Sequence, residues 1–357
     1  MVDARGLGRL GMLAVGLGIG AAVAHSPVAV ADSSSDWLAS VDSLLGGLSV
    51  PAETASSGLD IQISVDGTDL FSTTDNTATA TSGQGDIAIA IGDGASANAN
   101  GGSGDFAFAD GSDASANAGG VSTDTGANND TAIDIGTNSG SDNGAYAGNA
   151  DLIGNTEAGA GTGSGDTAID IGNNNGLFDG SIAGAGGLFG GGGNGDNDTA
   201  IDFGNNTGTD GGADAYDGNR NYASESGTTT SAGAEAGGGN DNTVIDATSN
   251  TTPGDGSTVG DGNGNFTFAD GPANSTANAF EGNNNIAYIL DPFGSTASGA
   301  NAGFGGNDDL AAVLLTDGDA NAQGGQFVYD IITALGNETG TAASTSGGFL
   351  SELLSLF

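Results

Sequence analysis

The sequence has very few basic residues and no cysteine. Its 357 residues include 45 aspartates and glutamates but only three arginines, one histidine and no lysine, so the formal net charge is −42. The histidine, His25, and two of the arginines, Arg5 and Arg9, stand near the amino terminus. The absence of cysteine excludes disulfides, thiolate nucleophiles and cysteine zinc sites. The absence of any histidine beyond residue 25 excludes a Ser-His-Asp system in the rest of the chain.

The first 31 residues have the three parts of a secretory signal peptide. Two arginines precede an apolar run from Leu10 to Ala24, and Ala29-Val30-Ala31 forms a small-x-small cleavage site. The apolar run is too short and too rich in glycine for a bilayer span, which requires about 20 residues. We therefore predict export and cleavage, with a mature chain that begins near Asp32. Such a chain would be secreted or held at a cell surface or cell wall, without a membrane span.

The mature chain keeps a single base, Arg220, which restricts its partners and its chemistry. Nucleic-acid binding is excluded because neutralising phosphates requires several lysines and arginines, and an anionic membrane surface would repel the chain. Carboxylate chemistry remains, either a glycosidase with two working acids or the binding of Ca²⁺ through oxygen. Nothing singles out a catalytic pair, and only Trp37 offers an indole for stacking on sugar. We predict that the protein is not an enzyme.

The large apolar residues are few, but their arrangement is regular. With 70 glycines and a large net charge, the composition is typical of a disordered chain. The large residues nevertheless come in runs of period 2, which indicates β-strands. Alanine alternations stand between these runs, and Asp, Asn and Gly fill the gaps, where tight turns form. The runs include Ile87-Ile89-Ile91, Phe106-Phe108, Ile133-Ile135, Ile169-Ile171, Ile201-Phe203, Phe266-Phe268 and Phe327-Tyr329-Ile331.

The repeating unit is a strand with large residues, a turn, a strand with alanines and a second turn. Intervals of roughly 15 to 32 residues indicate a solenoid, in which each coil buries its apolar face against the next. We predict an all-β fold, an elongated β-solenoid of stacked two-strand coils over residues 59–340, in which large residues of one wall face alanines of the other. A largely disordered low-complexity chain is the alternative. The units begin near Asp86, Asp105, Asp130, Asp151, Asp166, Asp198, Tyr222, Asn242, Asn265, Asn285, Asp309 and Gln326.

The best-marked units share a motif that contains an aspartate. The motif reads NDTAIDIGTN at 129–138, with related copies at 165–174, 197–206 and 241–250. If residues such as Ile169 point inward, the aspartates point outward and form a ladder with a spacing of roughly 5 Å. Like charges at that spacing repel, so the ladder is either a solvated face or a site that recruits Ca²⁺. Its members are Asp134, Asp170, Asp202 and Asp246.

A second stretch adds two candidate calcium ligands. The segment GGNGDNDTA at 192–200 partly matches the nonapeptide that binds calcium in parallel β-rolls. Asp196 and Asp198 would be the ligands in this segment. Asx-rich turns without metal are the alternative, since Asn, Asp and Gly are common turn formers.

Two features of the sequence resemble known families. The motif AIAIGDGASANANG at 88–101 is similar to the head repeats of trimeric autotransporter adhesins, and this likeness covers residues 83–120. The signal peptide followed by repeats rich in Gly, Ala and Asn resembles the secreted glycine-rich surface proteins of mycobacteria, of the PE-PGRS kind but without a PE domain. Both resemblances imply exposure at a surface and interaction with a host or neighbouring cell, without enzymatic activity.

Two flanking segments have a different pattern. DWLASVDSLLGGL at 36–48, within the flank 32–58, places its apolar residues at helical spacing and ends at glycines. GGFLSELLSLF at 347–357, within the flank 341–357, has the same pattern. Because the open ends of a solenoid need covering, we predict a short capping helix at each end.

Three hypotheses for the function follow from these features. The first is an acidic repeat protein with a structural or adhesin-like role, which contacts a protein or glycan at a cell surface and can self-associate. The second is a calcium-dependent binding module that uses the Asp- and Asn-rich turns. The third is a disordered secreted polymer.

Overall fold

The computed structural model describes most of the repeat array, and all regular structure in the described residues is β-strand. These residues are 60–119, 128–139, 144–148, 163–175, 180–184, 195–207, 212–215, 218–229, 233–248, 257–259, 262–271, 275–291, 298–303, 306–323, 328–333 and 336–341. Within these ranges no helix has the length and apolar character needed to cross a membrane. The predicted signal peptide and the two predicted capping helices lie outside the described residues.

The strands form two large sheets and one small one, and all are numbered in chain order. The first sheet contains β1 (Ile61–Val65), β2 (Thr68–Ser72), β4 (Ile87–Ile91), β6 (Phe106–Asp110), β8 (Thr131–Asn138), β10 (Thr167–Asn174), β12 (Thr199–Asp202), β13 (Asn205–Asn206), β15 (Tyr222–Glu225), β16 (Thr228–Thr229), β18 (Thr243–Asp246), β21 (Phe266–Asp270), β24 (Ile286–Leu290), β26 (Leu310–Leu314), β28 (Val328–Thr333) and β29 (Gly336–Thr341). The second contains β3 (Thr79–Ser82), β5 (Ser96–Ala99), β7 (Ser115–Ala118), β9 (Gly144–Ala147), β11 (Gly180–Ala183), β14 (Gly212–Ala215), β17 (Ala234–Ala236), β19 (Ser257–Val259), β22 (Thr276–Phe280), β25 (Gly299–Gly303) and β27 (Asp319–Gln323). The small sheet pairs β20 (Gly262–Asn263) with β23 (Gly282–Asn283).

Most successive strands alternate between the two large sheets, and most neighbours within each sheet are parallel. In the first sheet Ile169 pairs with Ile133 on one side and with Ile201 on the other. In the second sheet Ala97 pairs with Ala80 and with Ala116. At one end of the first sheet β1 is antiparallel to both of its neighbours, β4 and β2, and at the other end β29 is antiparallel to β28. The predicted all-β class is confirmed, and these long parallel sheets are consistent with an elongated β-solenoid-like fold rather than with a disordered chain.

Alanines from both sheets fill the space between them, which corrects the predicted orientation of the strands. Ala168 and Ala200 of the first sheet are fully buried, and they belong to one cluster with alanines of the second sheet such as Ala183. Ile169 and Ile201 lie on the opposite side of their strands and are partly exposed. The prediction that large residues of one wall face alanines of the other is therefore wrong for these strands. Alanine on both walls fills a narrow space there at native packing density, and larger residues reach the interior at other strands, as Val244, Ile289 and Val313 do.

The coils differ in their number of residues, whereas the hydrogen bonds that join them have nearly the same length. Asp105 follows its equivalent Asp86 by 19 residues, whereas Asp166 follows Asp130 by 36 residues. The hydrogen bonds that join these pairs measure 3.0 and 2.9 Å. A predicted unit start, Asp151, falls inside the longer interval, but β10 pairs directly with β8 and no coil lies between them. That unit start is therefore wrong, and the additional residues belong to the connection between β9 and β10.

A column of stacked glycines allows successive coils to approach closely where the strands of the first sheet turn. A Cβ atom added to Gly172 would lie 1.6 Å from the carbonyl oxygen of Gly204. A Cβ atom on Gly136 would lie 1.5 Å from the carbonyl oxygen of Gly172. No side chain can occupy such a position unless the backbone moves, so part of the high glycine content is a direct requirement of the stacking.

Candidate functional site: the buried polar ladders

A column of buried aspartates and asparagines precedes the strands of the first sheet. The Oδ1 atom of each residue accepts a hydrogen bond from the backbone N–H of its equivalent in the next coil, as from Asp105 to Asp86 (3.0 Å) and from Asn221 to Asp198 (2.7 Å). At the end of the column the N–H of Val328 donates to Asp309. We call this column the Asx ladder. Its members are Asp86, Asp105, Asp130, Asp166, Asp198, Asn221, Asn242, Asn265, Asn285 and Asp309, all at most 2% exposed.

Each rung of the Asx ladder follows a residue in the left-handed conformation. These residues include Gly85 (φ 89°), Asn129 (φ 62°) and Asp308 (φ 60°), which are residue types that tolerate positive φ. Many rungs also have a glycine three positions earlier, in stretches such as GQGD (83–86), GSGD (163–166) and GNGN (262–265). This recurring glycine and the Asx residue that follows it are the sequence signal from which the ladder could have been predicted.

Aspartate and asparagine rungs differ in the environment of their second side-chain atom. In the asparagine rungs Nδ2 donates to a glycine carbonyl, as from Asn221 to Gly239 at 2.9 Å and from Asn242 to Gly262 at 3.0 Å. In several aspartate rungs the Oδ2 atom is buried without a hydrogen-bond partner. These rungs include Asp86, Asp105, Asp130, Asp166 and Asp309.

The surroundings of Asp166 show what its Oδ2 atom faces. A Cβ atom added to Gly163 would lie 2.4 Å from this Oδ2 and 2.1 Å from the carbonyl oxygen of Gly195. Both oxygen atoms therefore border the same small space, and an ionised carboxylate would repel the carbonyl dipole. A proton on Oδ2 would supply the donor that the amide supplies in the asparagine rungs.

Burial raises the pKa of the aspartate rungs. Desolvation, with added repulsion from neighbouring carboxylates, raises the pKa of Asp105 and of Asp130 to about 7 and that of Asp166 to about 8. Backbone N–H groups of the next coil oppose this effect without cancelling it. The pKa of Asp86 is also raised, mainly by burial. Protons are therefore present on part of the ladder at neutral pH.

A second column of acids lies between the two sheets. Asp170 pairs in register with Asp134 and Asp202, Asp202 pairs with Glu225, and Glu225 pairs with Asp246. All five side chains have zero exposure. We call this column the interior acid ladder. The prediction that its aspartates point to solvent is wrong, because each lies two residues after the inward-facing alanine or valine of its strand and so shares its side of the sheet.

Neighbouring polar side chains bind several acids of the interior ladder. The Nδ2 atom of Asn138 donates to Asp134 at 2.7 Å, and the N–H of Ser115 donates to the same carboxyl at 2.6 Å. Asn174 and Asn206 donate to the next two aspartates in the same way. Burial nevertheless raises the pKa of Asp134 to about 7, in spite of these two donors. The ladder is thus a set of hydrogen-bonded acids that are fully buried between the two sheets.

The described residues offer these acids almost no positive charge. Arg220 is exposed and forms a bidentate ion pair with Asp241, with N···O distances of 2.7 and 2.6 Å. It lies on the outside of the turn that precedes β15, away from the interior acid ladder. Protons and hydrogen-bond donors, rather than basic side chains, therefore stabilise the buried carboxyl groups.

The six predicted calcium ligands lie in three different places. Asp134, Asp170, Asp202 and Asp246 belong to the interior acid ladder, and Asp198 belongs to the Asx ladder. Asp196 lies on the outer side of the same turn, where it accepts a hydrogen bond from the N–H of Ser164 at 3.1 Å. In the ranges that the structure describes, no three acidic, histidine or cysteine side chains are grouped as a metal site. Sequence reasoning missed Glu225, because its strand reads YASE rather than TAID.

The two sheets present different outer faces. Outward positions of the second sheet carry polar residues, which include Asn98, Asn117, Asn278, Asn301 and Asn321. Outward positions of the first sheet carry mainly Ile, Phe and Tyr. Those of β4, β6 and β8, such as Ile87, Phe106 and Ile133, are buried in a second apolar cluster, whereas Ile171 and Phe203 are exposed. From β10 onward the two sheets therefore present outer faces of different polarity.

Neither the family models, nor the curated proteins, nor the solved structures contain a match to this chain. The proposals that follow rest on its residues and their geometry.

Proposed function

We propose that this chain is an exported acidic repeat protein, secreted or held at a cell surface or cell wall, with a structural, adhesin-like role and no catalysis. The observation that carries this proposal is a row of amides on the outer side of the second sheet. We define the amide row as Asn278, Asn301 and Asn321. Asn278 donates to Asn301 at 3.2 Å, and Asn301 pairs in register with Asn321. A parallel sheet repeats such side chains about every 4.8 Å, which suits recognition of an extended polar partner.

A glycan or a polar protein surface is the partner that this row fits best. Each amide has two donor hydrogens and an acceptor oxygen, so a side chain that bonds one neighbour keeps groups for a hydroxyl or a peptide. The chain has almost no base with which to bind phosphate.

The absence of catalysis is supported by the placement of the acids, because the two ladders keep many carboxyls away from any substrate in solution. The segments 36–48 and 347–357 complete the proposal as helical caps of the array.

The test is binding of the full chain to immobilised surface polysaccharides and to intact cells. We expect Asn278→Ala with Asn301→Ala to lower binding strongly. The matched control is Asn173→Ala with Asn205→Ala, a second stacked amide pair (2.9 Å) that is exposed at the turns of the first sheet. Equal binding by the parent and both variants would contradict a role for the amide row.

Repeating the assay with calcium chloride and with EDTA tests the calcium-dependent alternative. Amino-terminal sequencing of the exported protein tests cleavage before Asp32.

A further inference from the structure

The outer side of the first sheet is an apolar surface almost without charge. We define the apolar face as the outward residues of β10, β12, β15, β18, β21, β24 and β26, together with Phe203 after β12. Of the acids in these strands, only Asp270 occupies an outward position, although the chain contains 45 acidic residues. Large side chains remain open to solvent, with exposures of 39% for Ile171, 51% for Phe203 and 40% for Ile286. Soluble monomers rarely expose apolar patches above a few hundred Å².

The apolar face is large and ordered enough to form a protein interface. Seven strands at about 4.8 Å spacing and about five residues at 3.3 Å cover roughly 500–600 Å². Two such faces would bury about 1,100 Å², just above the lower limit of roughly 1,000 Å² for a specific interface. The rings of Phe268 and Tyr288 stack with centroids 4.9 Å apart and an interplanar angle of 17°, so part of the surface is already fixed by its neighbours.

We propose that the apolar face is the interface of a dimer formed by two copies of this chain. The charge distribution favours a second copy, because a chain with net charge −42 can approach itself only where its acids are absent. Isologous pairing places one apolar face on its equivalent and keeps the polar outer face of the second sheet on the outside. Antiparallel pairing ends the parallel stack of the first sheet on both sides, at β1 with β2 and at β29, which favours face-to-face pairing over end-to-end growth.

This inference does not depend on where the chain acts or on what the amide row binds. The predicted dimer is weak, given its area, and its affinity rises with salt because counterions screen the remaining repulsion.

The experiment is sedimentation of the full chain from about 1 to 100 µM, at low and at high salt. We expect a monomer–dimer equilibrium that shifts to dimer in high salt. Phe203→Asp with Ile286→Asp should weaken the dimer by about tenfold or more, because each change places a charge in an apolar contact. The control, Asn301→Asp with Asn321→Asp, adds the same charge to the second sheet and should weaken it far less.

Circular dichroism of each variant verifies that the sheets remain folded. A chain that stays monomeric at 100 µM in high salt, or a dimer that the apolar-face variant does not weaken, would overturn the proposal. A chain that dimerises only after residues 342–357 or 32–58 are removed would also overturn it, since its own terminal segment would then be the occupant of the apolar face.

Discussion

Replacing Asp130 and Asp166 with asparagine should stabilise the protein at pH 8 and have much less effect at pH 5. Both carboxyls keep their protons in the folded state to about pH 7 and 8, whereas an unfolded chain releases them near pH 4. The folded state therefore binds more protons, and its stability falls as the pH rises through this window. Asparagine does not titrate, and at other rungs its amide donates to a glycine carbonyl, as Asn242 does.

The size of the effect follows from the pKa values. A displacement of about three to four pKa units corresponds, at about 1.4 kcal/mol per unit, to a loss on the order of 4 kcal/mol per carboxyl at pH 8. About 3 kcal/mol of this loss falls between pH 5 and pH 8. The protein would precipitate near its isoelectric point of about 4.1. The measurements therefore go no lower than pH 5.

Thermal melting of the parent and of the double variant at pH 5, 6, 7 and 8 measures this effect. The control is Asp69→Asn with Asp75→Asn, two exposed residues whose replacement makes the same change in net charge. The control separates the ladder from general repulsion among the many acids. A parent whose melting temperature rises from pH 5 to pH 8, or a ladder variant that is no more stable than the control at pH 8, would refute the reasoning.

Three further predictions test the packing of the coils. Ala200→Leu should lower the free energy of unfolding, measured in urea, by about 1–3 kcal/mol, because leucine overpacks the narrow interior. Thr199→Leu, on the outer side of the same strand, should change this free energy little. Gly172→Ala should destabilise strongly through its contact with the next glycine carbonyl, and the exposed Asn173→Ala should not, as measured by thermal melting. Arg220→Asn should leave the melting temperature unchanged, since asparagine accepts the left-handed φ of 60° and an exposed ion pair contributes little.

The strand pattern could be predicted from the sequence, but the direction of the side chains could not. A period of 2 divides each strand into two sets without saying which set is inside. Hydrophobicity favours Ile169 and Ile201 as the interior set, yet the alanines of the second sheet determine the width of the interior. Ala168 and Ala200 fit that width, and Asp170 is carried inside with them. The four aspartates were therefore predicted as one column, but without Glu225 and on the wrong side of the sheet.

Nine of the ten Asx-ladder residues were predicted as equivalent unit starts, but their burial and hydrogen bonding were missed, for a different reason. These residues have the composition of ordinary turns, and turn propensity explains Asp, Asn and Gly without any buried side chain. Only the three-dimensional stacking reveals that Asn221, rather than the predicted unit start Tyr222, is the equivalent of Asp198, and that the N–H of Asn221 donates to the buried Asp198 carboxyl. The fixed distance of three residues from a glycine is a weak signal in a chain with 70 glycines.

The unequal lengths of the coils affect how such a chain can evolve. The bond between two rungs is the same whether 19 or 36 residues separate them, so an insertion in a connecting loop leaves the stack unchanged. A duplicated coil would likewise bring its own Asx-ladder residue, its own stacking glycine and its own two strands with alanines. Each of these parts would pack against its equivalents in the two neighbouring coils. Lineages of such chains can therefore gain length by duplication and new surface loops by insertion, without the need for a new core at each step.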